Sequence, residues 1–361
     1  VIRTYTYKLY SNKKVEAKFN RWLNGTRYVY NLVKETKEVA YQAGVTLSGY
    51  DLSKQLTECK KEFSWLRRIN AQTLIQVIER LDISYKNFFS KRSKYPKWAK
   101  KKDWKSFGFK QNNLSNKRPD LRFEKEGVFN LPKFGKVKVF NYKHIDERSI
   151  KTARLIRKAD GIYLHVVAEV TDKPLTTNEN QVGIDMGIKY FCVTSDSEFI
   201  DNPKFLTKQL KKLRIEQRKL SRQVKFSNRW QKQVNVISRL HQKVVDARKD
   251  FLHKKSTYFA TNYSNIAIED LKITNMVRSN LSRHISDVSW GAFFDMLEYK
   301  ANNLVRVHSA YTSQECSKCG HTCKENRVTQ SIFKCVSCGH EDNADLDAAK
   351  VIEGRAFPNS R

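Results

Sequence analysis

Four cysteines fall in two pairs, Cys316-x₂-Cys319 and Cys335-x₂-Cys338, separated by 15 residues and each followed by a glycine, Gly320 and Gly339. Two such knuckles can bring four thiolates around one Zn²⁺ at about 2.3 Å, so the chain must fold back on itself over this stretch. The alternative, four unrelated thiols, leaves the repeated spacing unexplained. A Cys₄ set completes the tetrahedron and offers substrate no open position, which makes the role of the ion structural. Cys323, His321 and His340 are off this pattern and read as neighbours rather than ligands, while Cys59 and Cys192 read as core residues. Five of the seven cysteines lie within 23 residues, which fits a disulfide framework poorly and a metal site in a reducing cytoplasm well.

Charge sets the kind of partner. The 361 residues carry 69 Lys plus Arg against 37 Asp plus Glu, a formal charge of +32, and such an excess points to a polyanion. With 40% hydrophobic residues the chain can still build cores, so wholesale disorder is not the explanation. Two stretches hold most of the excess. Residues 204 to 255 have 17 Lys or Arg against three acids, and residues 91 to 118 have 11 against one. The second stretch interleaves Tyr95, Trp98, Trp104, Phe107 and Phe109, a mixture that suits phosphate backbone plus stacked bases. Its alternative is a solvated basic loop whose aromatics dock onto the protein itself. No run approaches 18 apolar residues, and the N-terminal segment lacks the apolar core of a signal peptide. A cytoplasmic, nucleoid-associated protein without a membrane partner is therefore expected.

Hydrophobic periodicity divides the chain. Residues 2 to 10 alternate as a strand, with Tyr5, Tyr7 and Leu9 on one face. Ser11 and Asn12 can cap a helix with the stripe Val15, Phe19, Trp22, Leu23, Thr26, Val29, Tyr30, Val33. A second helix is predicted from about Ala71 to Phe89, and with residues 52 to 62 it makes a helical module inserted after the first strand. From Leu121 to Val170 short β runs punctuated by Gly127, Gly135 and Gly161 suggest a small barrel-like β domain. Residues 171 to 180 read as a linker. Beyond them come three hairpin-like strands, two basic helices broken near residues 225 to 228, a strand, a helix, a strand and a last helix, which is the order of an RNase H-like α/β fold.

Three carboxylates stand at the ends of these elements: Asp185 within an apolar strand, Glu269 ending the run IAIE, and Asp345 opening the last helix. An acid in a buried strand is costly unless it is paired or binds a cation. Brought together, the three would hold Mg²⁺, and two ions about 3.5–4 Å apart could activate a water and stabilise the leaving oxygen of a phosphodiester. Separate surface acids, with Asp345 serving a helix terminus, are the competing reading.

The segments QVGIDMGIKYF, NIAIEDL, SWGAFFDMLEYKA, AYTSQECSKCGHTCKENR and FKCVSCGHEDNADLDAAKVI resemble the TnpB proteins of bacterial insertion sequences, transposon-encoded RNA-guided DNA endonucleases related to the type V CRISPR effectors. RTYTYKLY, RYVYNL and AQTLIQVIERLDISYKNFF extend the resemblance over nearly the whole chain. It implies an α+β multidomain protein: a β-barrel wedge domain (1–10 and 119–173), a helical recognition domain (11–118), a RuvC-type nuclease domain (174–310 and 340–361) and an inserted zinc ribbon (311–339). By position, Asp185, Glu269 and Asp345 match the family's Mg²⁺-binding catalytic triad, and Cys316, Cys319, Cys335 and Cys338 its zinc ligands. The family usually has Asn two residues after the third acid; here it is Asp347, which makes Asp347 the alternate third acid. The implied partners are a guide RNA from the element's own flanking transcript and target double-stranded DNA, with one protein per RNA. Gln72, Thr73 and Gln76 are candidates to read a short motif beside the target through base edges. Lys97, Trp98, Lys101, Arg218, Arg222 and Arg229 are candidates for nucleic-acid contacts. A cleavage-dead guided repressor and a transposase that joins DNA ends are the alternative functions. All three acids are present, which favours cleavage over repression, and no Tyr or Ser has the distinctive setting of a transposase nucleophile.

Overall fold

A computed structural model describes residues 2–111, 119–171, 178–273 and 282–358. The chain divides into two compact units, Val1–Asp172 and Lys173–Arg361. Residues 112 to 118, the end of the basic aromatic stretch, and most of the expected linker lie outside the described residues.

In the first unit, β1 (Ile2–Lys8) leads into the 30-residue helix α1 (Lys13–Gln42), whose N-cap Asn12 accepts from the Val15 N–H at 2.9 Å. Helices α2 (Gly49–Glu62) and α3 (Ala71–Phe89) follow; Asn70 caps α3 by accepting from the N–H groups of Gln72 and Thr73. Seven residue pairs zip β1 antiparallel to β7 (Gly161–Glu169). The sheet runs β1-β7-β6-β2, with β2 at Ser106–Lys110 and β6 at Ile150–Lys158. Strands β3 (Arg122–Lys125), β4 (Val128–Leu131) and β5 (Gly135–Lys138) form a separate three-stranded meander. A bridge between Leu9 and Val139 joins the continuation of β1 to this meander.

The helical insert and the strands share one hydrophobic core, in which Phe19 and Trp22 of α1 and Leu74 and Leu81 of α3 lie in one cluster with Phe107, Phe129 and Leu164 of the strands. Strand β2 goes beyond the sequence reading, in which Phe107 and Phe109 are either stacking partners for bases or aromatics docked onto the protein itself. They alternate into the core with 3% and 1% exposure, and Trp104 is buried with its indole N–H donating to Thr26 Oγ1 at 3.0 Å. For these three aromatics, docking onto the protein itself prevails.

In the second unit, β8 (Gln181–Met186), β9 (Tyr190–Thr194) and β10 (Phe199–Asp201) form antiparallel hairpins. Basic helices α4 (Phe205–Ser221) and α5 (Asn228–Asn262) break where the sequence suggested. Strand β11 (Asn265–Glu269) lies parallel to β8 and to β12 (Asn303–Val307), which follows helices α6 (Ser282–Val288) and α7 (Trp290–Glu298). The resulting order is β10-β9-β8-β11-β12. A cysteine-bearing segment with the small hairpin β13 (Ile332–Lys334) and β14 (Glu341–Asn343) then leads directly into α8 (Ala344–Ala356).

The two faces of this sheet differ. Val182, Ile184, Ile266 and Ile268 point to a core shared with Leu252 and Phe259 of α5 and Phe293 of α7. The opposite face is covered by α8, where Ile352 packs with Ala267 and Val307. Gly183 permits that approach, since a Cβ there would overlap the carbonyl oxygen of Ala349 and the backbone nitrogen of Glu353.

Candidate catalytic pocket and cysteine site

Strand register brings the first two acids together. Ile184 pairs with Ile268 across the parallel β8–β11 ladder, so Asp185 and Glu269 sit at the same level one step further on. Side chains alternate along a strand, which puts Asp185 on the face of Gly183 and Glu269 on that of Ala267, the face that α8 covers. Asn343 caps α8 by accepting from the N–H groups of Asp345 and Leu346, and the first turn of the helix therefore carries Asp345 toward the strand ends.

The electrostatics record this convergence. Burial pushes the Asp185 carboxyl up to about 8, and the negative charges of Glu269 and Asp345 add to the shift, while Arg327 opposes it. Glu269, 8% exposed, is also raised by burial, against the opposing hydrogen bond from Thr312 and the positive charge of Arg355. The buried hydroxyl of Thr312 donates to Glu269 Oε1. Arg327 Nη2 lies 3.4 Å from Asp345 Oδ1. Burial holds both carboxyls above their ordinary range, and at Asp185 the charges of Glu269 and Asp345 add to it; a divalent cation would relieve this, and hard oxygen donors of this kind fit Mg²⁺.

Asp347 behaves differently. It is 1% exposed, and its Oδ1 accepts from Ser317 Oγ at 2.5 Å and Ser317 N at 3.3 Å. Residues two apart on a helix point about 200° apart, so Asp347 faces the cysteine segment, and Asp345 is the acid whose charge bears on Asp185. Thr312 and Arg327, both in the pocket, escaped sequence reading, because a lone Thr and a lone Arg in a Cys-rich loop carry no spacing signal.

The four cysteine Sγ atoms lie within 4.8 Å of one another. Cys316 and Cys338 are 3.7 Å apart and Cys319 and Cys335 3.6 Å. A tetrahedron with 2.3 Å zinc–sulfur bonds has edges of about 3.75 Å, so the set fits Zn²⁺. Each knuckle turns over at a left-handed glycine, Gly320 at φ +73° and Gly339 at φ +72°. Backbone N–H groups of Cys338 and Ser337 aim at Cys335 and pull its thiol down to about 6, whereas burial pushes Cys316 up to about 12; a metal would have to displace the protons of such a set. Cys323 stands apart and donates to Glu325 at 2.6 Å.

The candidate nucleic-acid residues scatter. Lys97, Lys101, Arg218, Arg222 and Arg229 are exposed. Trp98 is 48% exposed, but the Lys34 ammonium sits over its ring at 4.5 Å. Thr73, in contrast, is fully buried and cannot present its hydroxyl to solvent, because α3 turns that position toward β2. Thr73 and Gln76 line a cavity of about 300 Å³ together with Arg80, Trp104, Gly108 and Arg154. Gln72 keeps partial exposure at the head of α3.

Comparison with known proteins gives a consistent picture. Residues 165–280 match a family described as "Probable transposase" (OrfB of IS605) and residues 290–352 a "Cas12f1-like, TNB domain". Residues 1–45 match the family's "Helix-turn-helix domain", although here they form one strand and one long helix. A protein of Escherichia coli strain K12 named "Putative RNA-guided DNA endonuclease InsQ" is 32% identical over 375 residues, spanning 97% of this chain and 91% of that protein. A Streptomyces pristinaespiralis protein named "Putative RNA-guided DNA endonuclease" is 29% identical, spanning 98% and 89%. Among solved structures, a Cas12f1–sgRNA–target DNA complex shares the fold at TM-score 0.61 and 13% identity, with 98% of each chain covered.

Proposed function

The chain belongs to the TnpB family, and from that premise we propose that it is a guide-RNA-directed endonuclease that hydrolyses double-stranded DNA beside a short adjacent motif. The observation that carries this reading is the Asp185 carboxyl, which feels Glu269 and Asp345 at the end of β8 in a protein of net charge +32. Such a pocket repels a phosphodiester unless cations fill it.

Asp185, Glu269 and Asp345 would hold Mg²⁺, which supplies an activated water and neutralises charge on the leaving oxygen. Within the chain, Thr312 orients the Glu269 carboxylate by donating to it. Arg327 holds Asp345 by an ion pair and balances part of the negative charge until metal arrives. Cys316, Cys319, Cys335 and Cys338 would hold a structural Zn²⁺ in the ribbon, 311–339. The remaining division follows the family: a wedge on 1–10 and 119–173, to whose sheet β2 at Ser106–Lys110 adds a strand, a recognition domain on 11–118, and a nuclease on 174–310 and 340–361.

Guide RNA from the element's flanking transcript would read the target by base pairing, as in other RNA-guided systems. Gln72 and Gln76 are the candidates for the adjacent motif, and Lys97, Trp98, Lys101, Arg218, Arg222 and Arg229 for backbone or base contacts. One protein per RNA is the simplest assembly. Retention of all three acids favours cleavage over guided repression without cleavage.

The test is to purify the protein with its co-expressed flanking RNA and challenge the complex with guide-matched duplex in Mg²⁺ or in EDTA. Cleavage of the matched duplex in Mg²⁺ alone is expected. Failure of RNA to co-purify, or equal cutting in EDTA, would sink the reading.

A further inference from the structure

Beside the cysteine site lies a second group of ligand-type atoms. His340, Asp342 and Asp347 each place one such atom within 4.8 Å of the others. His340 and Asp342 come from the end of the second knuckle and from β14, whereas Asp347 comes from the first turn of α8. His340 Nε2 is 3.4 Å from Asp347 Oδ1 and 3.9 Å from Asp342 Oδ2.

Two atoms of this group are buried without a hydrogen-bond partner: His340 Nε2 and Asp347 Oδ2. Burying such groups unpaired is costly. With the proton on Nδ1, His340 Nε2 is an acceptor like Asp347 Oδ2, and in that tautomer the two cannot satisfy each other. Both lone pairs can be satisfied by a cation between them.

We propose that His340, Asp342 and Asp347 form a second metal site, separate from the Cys₄ set and from the catalytic acids, for a divalent first-row transition ion such as Zn²⁺. One imidazole and two carboxylates suit such ions. Tetrahedral bonds of 2.0–2.2 Å require ligand atoms about 3.3–3.6 Å apart; the His340–Asp347 distance meets this, and the His340–Asp342 distance of 3.9 Å lies just outside it. Lys350 Nζ, 2.6 Å from Asp342 Oδ2, shares that oxygen and weakens the site, since it already offsets one of the two carboxylate charges. The bound ion ties the cysteine segment to α8 and thereby positions Asp345, two residues from Asp347, without touching the reacting atoms.

The probe is Co²⁺ titrated into metal-free full-length protein, followed spectroscopically. With Mg²⁺ in excess to occupy the catalytic acids, the parent should take up two equivalents: one with a thiolate-to-metal charge-transfer band, one without it. Asp347→Asn keeps an oxygen for Ser317 and should weaken binding of the second equivalent at least 10-fold while the thiolate band persists; His340→Ala should do the same. Lys350→Met should tighten the second equivalent about 10-fold, an outcome that misfolding cannot mimic. A parent that takes up only the thiolate-bound equivalent overturns the proposal, as does an Asp347→Asn or His340→Ala protein that retains the second.

Discussion

The cysteine site and the carboxylate pocket are both ligand sets presented by one unit, yet they are built in opposite ways. The four sulfurs come from 23 consecutive residues and need only two tight knuckles and a short hairpin. The three acids come from β8, β11 and α8, and they approach one another only when a parallel sheet has formed and a helix has docked on one face. The first site is closed to substrate by its ligand count; the second is a set of hard oxygen donors that leaves coordination positions of a bound Mg²⁺ to water or substrate. Damage to one should therefore be separable from damage to the other.

The largest separation is expected from Asp185→Ala against Cys335→Ser. The first should reduce cleavage at least 1,000-fold while zinc content, guide RNA and binding of matched duplex are unchanged, since it removes a ligand of the proposed catalytic ions. The second should remove one equivalent of zinc, measured by elemental analysis, and lower the melting temperature. Zinc loss in the Asp185 variant, or full zinc in the Cys335 variant, would erase the distinction.

Gly183→Ala probes the docking that only the acid pocket requires. Its Cβ would overlap the Ala349 carbonyl oxygen and push α8 off β8, at a cost of about 2–4 kcal/mol. Denaturant unfolding should register that loss and cleavage should fall, while the cysteine site keeps its metal.

In chelator, the pocket should also give stability a pH slope. Asp185 titrates near 3.9 when unfolded and near 8 when folded. Between those values the folded chain binds more protons, so stability falls as pH rises from about 4 to about 8. Asp185→Asn should flatten this slope, stabilising the metal-free protein by roughly 2–4 kcal/mol at pH 8 and little at pH 4, after allowance for partial solvent access. Mg²⁺ should restore the parent at high pH. An unchanged slope in the variant would remove Asp185 as its source.

The smallest effect belongs to Arg327→Gln. Removing this cation from beside Asp345 should raise apparent Mg²⁺ affinity about 2- to 5-fold at low salt, because a competing positive charge is gone. A half-saturating Mg²⁺ concentration for cleavage that stays the same or rises would contradict that role.

The helices show how far periodicity carries. The predicted bounds of α3, 71 to 89, coincide with the observed helix, because a long stripe at three-to-four spacing is a local property. Strand β2 was missed for a physical reason as well: five residues in a Lys-rich stretch offer only two inward aromatics, too few to announce a period of two. Lys34 was equally illegible. Its ammonium is almost fully buried, paired with Glu38 and lying over the rings of Tyr95 and Trp98, partners 61 and 64 residues downstream.

From sequence alone came the zinc-ligand spacing, the polyanionic partner, the order of strands and helices and the identity of three candidate acids. All of these rest on composition, on local periodicity or on motifs read in place. Only the tertiary structure decided that Asp345 rather than Asp347 turns toward Asp185, that Thr73 is buried, and that Thr312 and Arg327 belong to the pocket. Each of those depends on which face of a helix meets which face of a sheet, and at Gly183 that choice was made by the absence of a single Cβ.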